Sequence, residues 1–433
     1  MTRRGVTGVN GGAAAIDSCS AACYRRIVVK IGSSTLTDEH GQIDEAYIAH
    51  LSVQLAILKA GGAEILLVTS GAIAAGLEGI GLTGRPTDVP SLQAASAVGQ
   101  LRLAQCYSQA FAVHDLRLGQ VLLTRFELQN RSSYLHARDT LERLLAGGVI
   151  PLINENDTVA VEEIRFGDND SLAAQVGMMV KADLVVLLSD IEGLYTADPR
   201  VHEDAELLES IAAFTTEIVA AAGAAGTTRG SGGMVTKLEA ARICMAAGIP
   251  MVICQGSEPN VVLEVACGKP HGTLFAAAAS TSAAGGQGTS GVAGGTSNEN
   301  CHGSQSVGVA AGGNGRSSDD DSHQRGSRKL WLALAAAPMG TVHVDAGAEA
   351  ALRQRGSSLL PVGIRLVEGD FGAGDTVDIR NPEGLIIGRG ISSYSAPDLA
   401  RAAGMTSKEL VSHTDVGRPL PNAAIHRDQL VVF

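Results

Sequence analysis

The chain has 433 residues, a formal net charge of −12, 45% hydrophobic residues and only 3% aromatic ones. That length and apolar content support more than one hydrophobic core. The acidic balance excludes a broadly basic nucleic-acid surface, and the shortage of aromatics disfavours base-stacking platforms. No apolar run approaches the ~20 residues that span a bilayer. The seven cysteines, at positions 19, 23, 106, 244, 254, 267 and 301, are odd in number, scattered and without a C-x-x-C pair. They read as reduced thiols in a reducing compartment, which implies a cytoplasmic protein.

Residues 1–24 carry Arg3 and Arg4 but no apolar segment, and read as a disordered tail, with a transit peptide as the minor alternative. Short apolar runs follow at 26–31, 64–68, 119–123, 149–153, 184–188 and 250–254. Stretches of helical periodicity, such as 48–59, 171–180 and 236–247, separate them. Apolar strands alternating with helices predict an α/β fold, a three-layer sandwich around a mainly parallel sheet. In such sheets ligands sit beyond the carboxyl ends of the strands, where this chain concentrates its polar motifs.

Lys30 closes the first run and enters Gly32-Ser33-Ser34-Thr35. Taken alone it reads as a lysine snorkelling at a sheet edge. Thr69-Ser70-Gly71 follows the second run and opens a helix, placing a hydroxyl and free N–H groups where an anion could bind. Asn154-Glu155-Asn156-Asp157 is too polar for packing, and Gly167-Asp168-Asn169-Asp170 is equally compatible with a turn capped by Asp170 or Ser171. Ser189-Asp190 ends the fifth run. Ser231-Gly232-Gly233-Met234-Val235-Thr236-Lys237 joins glycines, a hydroxyl and a cation at a helix start, which suits a polyphosphate. Two distant lysines, acids, amides and a glycine loop are the parts phosphoryl transfer needs, with Mg²⁺ bridging the phosphates.

From residue 276 to 328 there is no Leu, Ile, Met or aromatic residue, and Val292, Val307 and Val309 are the only large apolar groups. This segment cannot bury enough apolar surface to offset ordering entropy and reads as a disordered low-complexity linker. The formal G-x-G-x-x-G at 286–291 has neither a strand before it nor a helix after it, so it is no dinucleotide site. Replacing residues 276–328 by a short flexible join is expected to leave activity and melting temperature little changed, since closure entropy depends weakly on loop length. A stability loss beyond about 2 kcal/mol on denaturant unfolding would show that the segment packs. Residues 329–433 show short β-like runs between Gly-rich turns, and predict a small, mostly β barrel.

The sequences KIGSS at 30–34, TSGAIAAG at 69–76, NEND at 154–157, GDND at 167–170, SDIEGLYTADPR at 189–200 and SGGMVTK at 231–237 resemble, in order, the glutamate-phosphorylating branch of the amino acid kinase family. The resemblance covers residues 25–275, and the 329–433 tail resembles the PUA domain. It implies ATP-dependent phosphorylation of the side-chain carboxylate of L-glutamate to L-glutamyl 5-phosphate, which begins proline biosynthesis. By motif position it puts Lys30 and Lys237 on either side of the transferred phosphoryl group, with Asp170 orienting both. It places L-glutamate on Ser70, Asp157, Asp168 and Asn169. ATP falls to Lys30, Ser189, Asp190 and residues Ser231, Gly232, Gly233, Met234, Val235, Thr236 and Lys237. It also implies Mg²⁺, feedback inhibition by proline and a homo-oligomer.

The chain departs from the family pattern at Ser189 and Ser231, where Thr is common, and at Arg165, where lysine occurs. The last bears on feedback regulation more than on catalysis. The 276–328 linker is also longer than usual. PUA domains occur in RNA-binding proteins, yet residues 328–433 hold 11 Lys/Arg against 11 Asp/Glu, so charge does not support an RNA surface. A catalytically silent amino-acid sensor is the other alternative, and the presence of both lysines and the acids argues against it.

Overall fold

The protein is described here by a computed structural model covering residues 23–38, 41–160, 169–199, 201–202, 204–215, 218, 233–277, 329–406, 409 and 421–433. The 276–328 segment and the N-terminal tail therefore lie almost wholly outside the described residues.

The six apolar runs, joined by two short strands the sequence did not reveal, form one eight-stranded sheet of β1 (Arg26–Ile31), β2 (Glu64–Val68), β3 (Leu118–Leu123), β4 (Ile150–Glu155), β5 (Leu184–Ser189), β6 (Ser210–Ile211), β7 (Met251–Gln255) and β8 (Thr273–Phe275); the two additions are β6 and β8. Their order is β3-β4-β2-β1-β5-β7-β8-β6, parallel throughout except where β8 runs against β7. The helices are α1 (Ser33–Leu36), α2 (Glu45–Ala60), α3 (Ala72–Gly76), α4 (Val89–Ala112), α5 (Arg125–Gln129), α6 (Arg131–Ala146), α7 (Asn169–Val180), α8 (Met234–Ala246) and α9 (Val261–Ala266).

The period of two along each strand explains the layering. In β1, Val28 joins one apolar cluster while Ile27, Val29 and Ile31 join the other. In β5, Val185 and Leu187 face the first cluster and Leu184, Val186 and Leu188 the second. Tyr134 of α6, Val176 of α7 and Leu238 of α8 cover the first face. Leu51 of α2, Phe111 of α4 and Val262 of α9 cover the second. Strands buried on both faces must read as continuous apolar runs, which is why sequence located them to within two residues.

From β1 the sheet grows one way through β2, β4 and β3, and the other way through β5 and β7. This reversal of strand order opens a crevice at the carboxyl ends of β1, β2 and β5. Two elements differ from the sequence expectation there. β4 continues through Asn154 and Glu155, both buried, so these polar residues are part of the strand rather than a loop after it. The 24-residue α4 was not singled out by periodicity, and it lies against α3 at unusually short range. A Cβ on Gly99 would fall 1.7 Å from the Ala72 carbonyl oxygen, and one on Gly76 would fall 1.8 Å from that of Ala95.

Residues 329–334 are helical, and Trp331 enters the first apolar cluster fully buried. Its indole N–H donates to the Leu128 carbonyl at 2.9 Å, its ring centroid lies 5.8 Å from that of Tyr134, and the Arg131 guanidinium stands 5.1 Å over its face. The chain then forms a second sheet, β10-β9-β11-β12-β13, from β9 (Gly340–Val344), β10 (Ile364–Gly369), β11 (Thr376–Arg380), β12 (Ile386–Ile391) and β13 (Leu430–Val432). Val342, Val377, Ile379 and Leu430 build its core with Leu352 of α10 (Ala346–Arg355) and Leu399 of α11 (Ala396–Ala402). Arg389 of β12 ties this sheet to the preceding segment, reaching Asp378 and the Ala336 carbonyl, each at 2.7 Å.

The cysteine reading needs one correction. Cys23, Cys106, Cys244 and Cys254 are free thiols, but Cys267 is disulfide-bonded. Scattered spacing could not reveal a bridge that depends on long-range proximity. Among the described residues no helix is long and apolar enough to cross a membrane.

Candidate active site

Three charged side chains from distant parts of the sequence meet at the crevice. Lys30 sits at the end of β1, Asp170 in the first turn of α7 and Lys237 in the first turn of α8. Lys30 Nζ lies 2.6 Å from Asp170 Oδ1, and Lys237 Nζ lies 3.3 Å from Asp170 Oδ2. The Thr236 hydroxyl is 2.9 Å from the same Oδ2. All three charged residues are buried. Burial opposes the charge on Asp170, but Lys30, Lys237 and the Thr236 hydroxyl overcome it and hold the carboxyl down at about 2. Asp170 thus stays ionised at any working pH and fixes both ammonium groups relative to one another. Both of its oxygens meet lysines, and Asp170 lies within α7 rather than at the position before it.

The neighbouring Asn169 turns to a different set of partners. Its side-chain amide nitrogen lies 2.7 Å from the Thr69 carbonyl, 3.0 Å from Ser70 Oγ and 2.8 Å from Asn154 Oδ1. Ser70 follows β2, and Gly71 after it takes φ +88°, a left-handed turn that a β-carbon would strain. Asn154 Nδ2 and Asn169 Oδ1 are buried without a hydrogen-bond partner in the structure. One unpaired donor and one unpaired acceptor, side by side, are what a buried ligand bearing both charges would satisfy. Asn154 was not singled out beforehand; its place in NEND, directly after an apolar strand, was the available signal.

Asp157, on the turn after β4, is buried and accepts a hydrogen bond from Ser96 of α4 at 2.8 Å. Burial pushes its carboxyl above the usual range, against the Ser96 hydrogen bond and the positive charge of Arg85. Ser189 ends β5 beside the glycine turn after β1, where the Gly32 N–H donates to the Leu188 carbonyl at 3.1 Å. Its hydroxyl donates to the exposed Asp190 carboxylate at 3.1 Å.

The glycine loop is only partly in view, because Ser231 and Gly232, like Asp168, fall outside the described residues. Gly233 is the N-cap of α8, and nothing lies within 4 Å of where its Cβ would stand. Val235 is 62% exposed, whereas Met234 packs its side chain into the core and offers the site only backbone. The helix-start N–H groups and dipole of α8 then face the same crevice as Lys237.

Residues 25–255 match the model of the amino acid kinase family, and residues 340–414 match that of the PUA domain. The chain belongs to the amino acid kinase family. It is 41% identical over 409 residues to a glutamate 5-kinase of Citrifermentans bemidjiense, covering 94% of this chain and 98% of that protein. It is 42% identical to a glutamate 5-kinase of Meiothermus ruber, covering 94% of this chain and 96% of that protein. A crystal structure of UMP kinase from Ureaplasma parvum is similar at a TM-score of 0.41 and 15% identity, covering 58% of this chain and 98% of that one.

Proposed function

We infer that this amino acid kinase transfers the terminal phosphoryl group of ATP to the side-chain carboxylate of L-glutamate, giving L-glutamyl 5-phosphate for proline biosynthesis. The observation that carries the reading is the adjacency of Asn169 and Asp170. One residue clamps two lysines, and its chain neighbour lines a buried set of unpaired polar atoms. Phosphate cations and amino-acid ligands are thereby one residue apart.

The acceptor chemistry fits this inventory. A free glutamate side chain has a pKa of roughly 4.3, so at neutral pH it is already the nucleophile and needs no general base. The barrier is instead the approach of one anion to another, and cations that strengthen their grip as charge shifts lower it. On this reading Lys30 and Lys237 flank the moving phosphoryl group, and Asp170 keeps both in place. Ser189, Asp190 and residues 231–237 hold ATP. Mg²⁺ accompanying ATP would offset negative charge on the phosphates, while both Asp170 oxygens are already engaged by lysines. Ser70, Asp157, Asp168 and Asn169 hold glutamate, with Asp157 answering its ammonium group. The same reading carries proline feedback inhibition, a homo-oligomeric assembly, a cytoplasmic location, and a 25–275 kinase unit followed by a 329–433 PUA-like unit.

An ATP-dependent glutamyl-hydroxamate assay tests the reaction. L-Glutamate should be the acceptor, and N-acetylglutamate, which lacks the ammonium group, should be rejected by orders of magnitude because the buried Asp157 would be left without it. Asp157→Ala and Asn169→Ala should each raise the glutamate KM by at least about tenfold while moving the ATP KM far less. Equal effects on both substrates, or a preference for N-acetylglutamate or aspartate, would move the chain to another branch of the family.

A further inference from the structure

Besides the 168–169 stretch that opens α7, the acceptor ligands come from two stretches of chain, 69–71 after β2 and 154–157 at the end of β4. Something must fix the distance between them. The polar residues of α4 do so along one stripe. Gln93 Nε2 donates to the Ala160 carbonyl at 3.2 Å, Ser96 Oγ to Asp157 Oδ2 at 2.8 Å, and Gln100 Nε2 to the Glu155 carbonyl at 3.1 Å. Further along, the Tyr107 hydroxyl lies 3.1 Å from Thr69 Oγ1. Positions 93, 96, 100 and 107 follow helical spacing, so all four side chains leave the same face. Gly99 and Gly76 bring the α3 backbone, which carries the Ser70 turn, into direct contact with α4. One helix therefore braces both the Ser70 side and the Asp157 side of the acceptor site.

We propose that Ser96 is a positioning residue for the amino-acid acceptor, its hydroxyl orienting the Asp157 carboxylate from the α4 rail. Ser96 is fully buried, and its hydroxyl makes a direct side-chain contact with Asp157. A carboxylate taken out of water needs donors to remain an anion, and burial is already pushing Asp157 toward the neutral acid. A neutral or misdirected carboxyl would answer an ammonium group poorly. The proposal rests on the reading of Asp157 as a glutamate ligand, and its effect must be confined to glutamate.

The test is a mutant cycle on the full chain, with glutamate KM, ATP KM, kcat and melting temperature measured for Ser96→Ala, Asp157→Ala and the double variant. Alanine suits a helix interior, and the Asp157 carboxylate that loses the Ser96 hydroxyl still has the Arg85 charge nearby, so the fold should be retained. Ser96→Ala should raise the glutamate KM about tenfold, the value of a lost hydrogen bond to a charged group, with kcat and ATP KM within about twofold. In the Asp157→Ala background the same change should add less than about twofold, because the group through which it acts is gone. An unchanged glutamate KM, an equal rise in both backgrounds, or a Ser96→Ala chain that does not fold would each overturn the proposal. An Asp157→Ala variant with normal glutamate KM would instead remove the acceptor-site reading itself, whatever Ser96→Ala does.

Discussion

Lys237→Ala should lower kcat on the order of a thousandfold while the protein stays folded, as expected for a cation whose grip tightens only as the phosphoryl group moves. The structure explains why the fold should survive. Asp170 loses the contact at 3.3 Å but keeps the shorter one to Lys30 at 2.6 Å, so its carboxylate is never left alone in the interior. Removing Asp170 is different in kind. Asp170→Ala takes from two buried ammonium groups the carboxylate that pairs them, a change of the class that costs about 3–5 kcal/mol. Activity and stability should then fall together. Turnover measured beside denaturant midpoints separates the two variants, and near-normal kcat in folded Lys237→Ala would sink the role assigned to this lysine.

Gly99→Ala should destabilise the protein by about 3 kcal/mol, although alanine is normally the better helix residue by up to about 1 kcal/mol. The new methyl group would stand 1.7 Å from the Ala72 carbonyl oxygen and 2.7 Å from the Gly76 nitrogen. These are backbone atoms with no rotamer to escape into, so α3 and α4 must separate. Leu101→Ala, two residues further on a side chain that is 73% exposed, is the control and should lie within about 0.5 kcal/mol of wild type. Urea midpoints decide the matter, and a neutral or stabilised Gly99→Ala would mean that the two helices are not locked as described. Because α3 carries the Ser70 turn, any Gly99→Ala protein that folds should lose glutamate affinity before ATP affinity.

These two variants mark the limits of what the sequence disclosed. The apolar pattern put Lys30, Asp170 and Lys237 at strand ends and helix starts, but their grouping was expected only from the motif resemblance, since Lys30 alone read as snorkelling and Asp170 as a possible cap. The two-faced burial of β1, β2 and β5 was legible from the same apolar pattern. α4 was not. Its buried face carries Leu92, then Ala95, Ser96, Gly99 and Gln100, and only after them Leu103, Tyr107 and Phe111, so the apolar stripe is interrupted where the helix meets backbone and carboxylate. Asn154 and Glu155 were read past the strand end because polar residues ordinarily terminate a buried strand; here they continue it, and Asn154 meets the Asn169 amide. The bridge at Cys267 depends on three-dimensional proximity that spacing does not encode.

Trp331 has a consequence of another sort. It is the only tryptophan in the chain, it is fully buried, and it sits between the residues after the linker and the α5–α6 pair. Seven phenylalanines and six tyrosines are distributed elsewhere, but the indole signal has a single origin. Emission excited at the red edge of protein absorbance therefore comes from that seam alone. The molecule carries its own optical label at the junction between its two parts, and their association can be followed in the unmodified protein while far-ultraviolet ellipticity follows everything else.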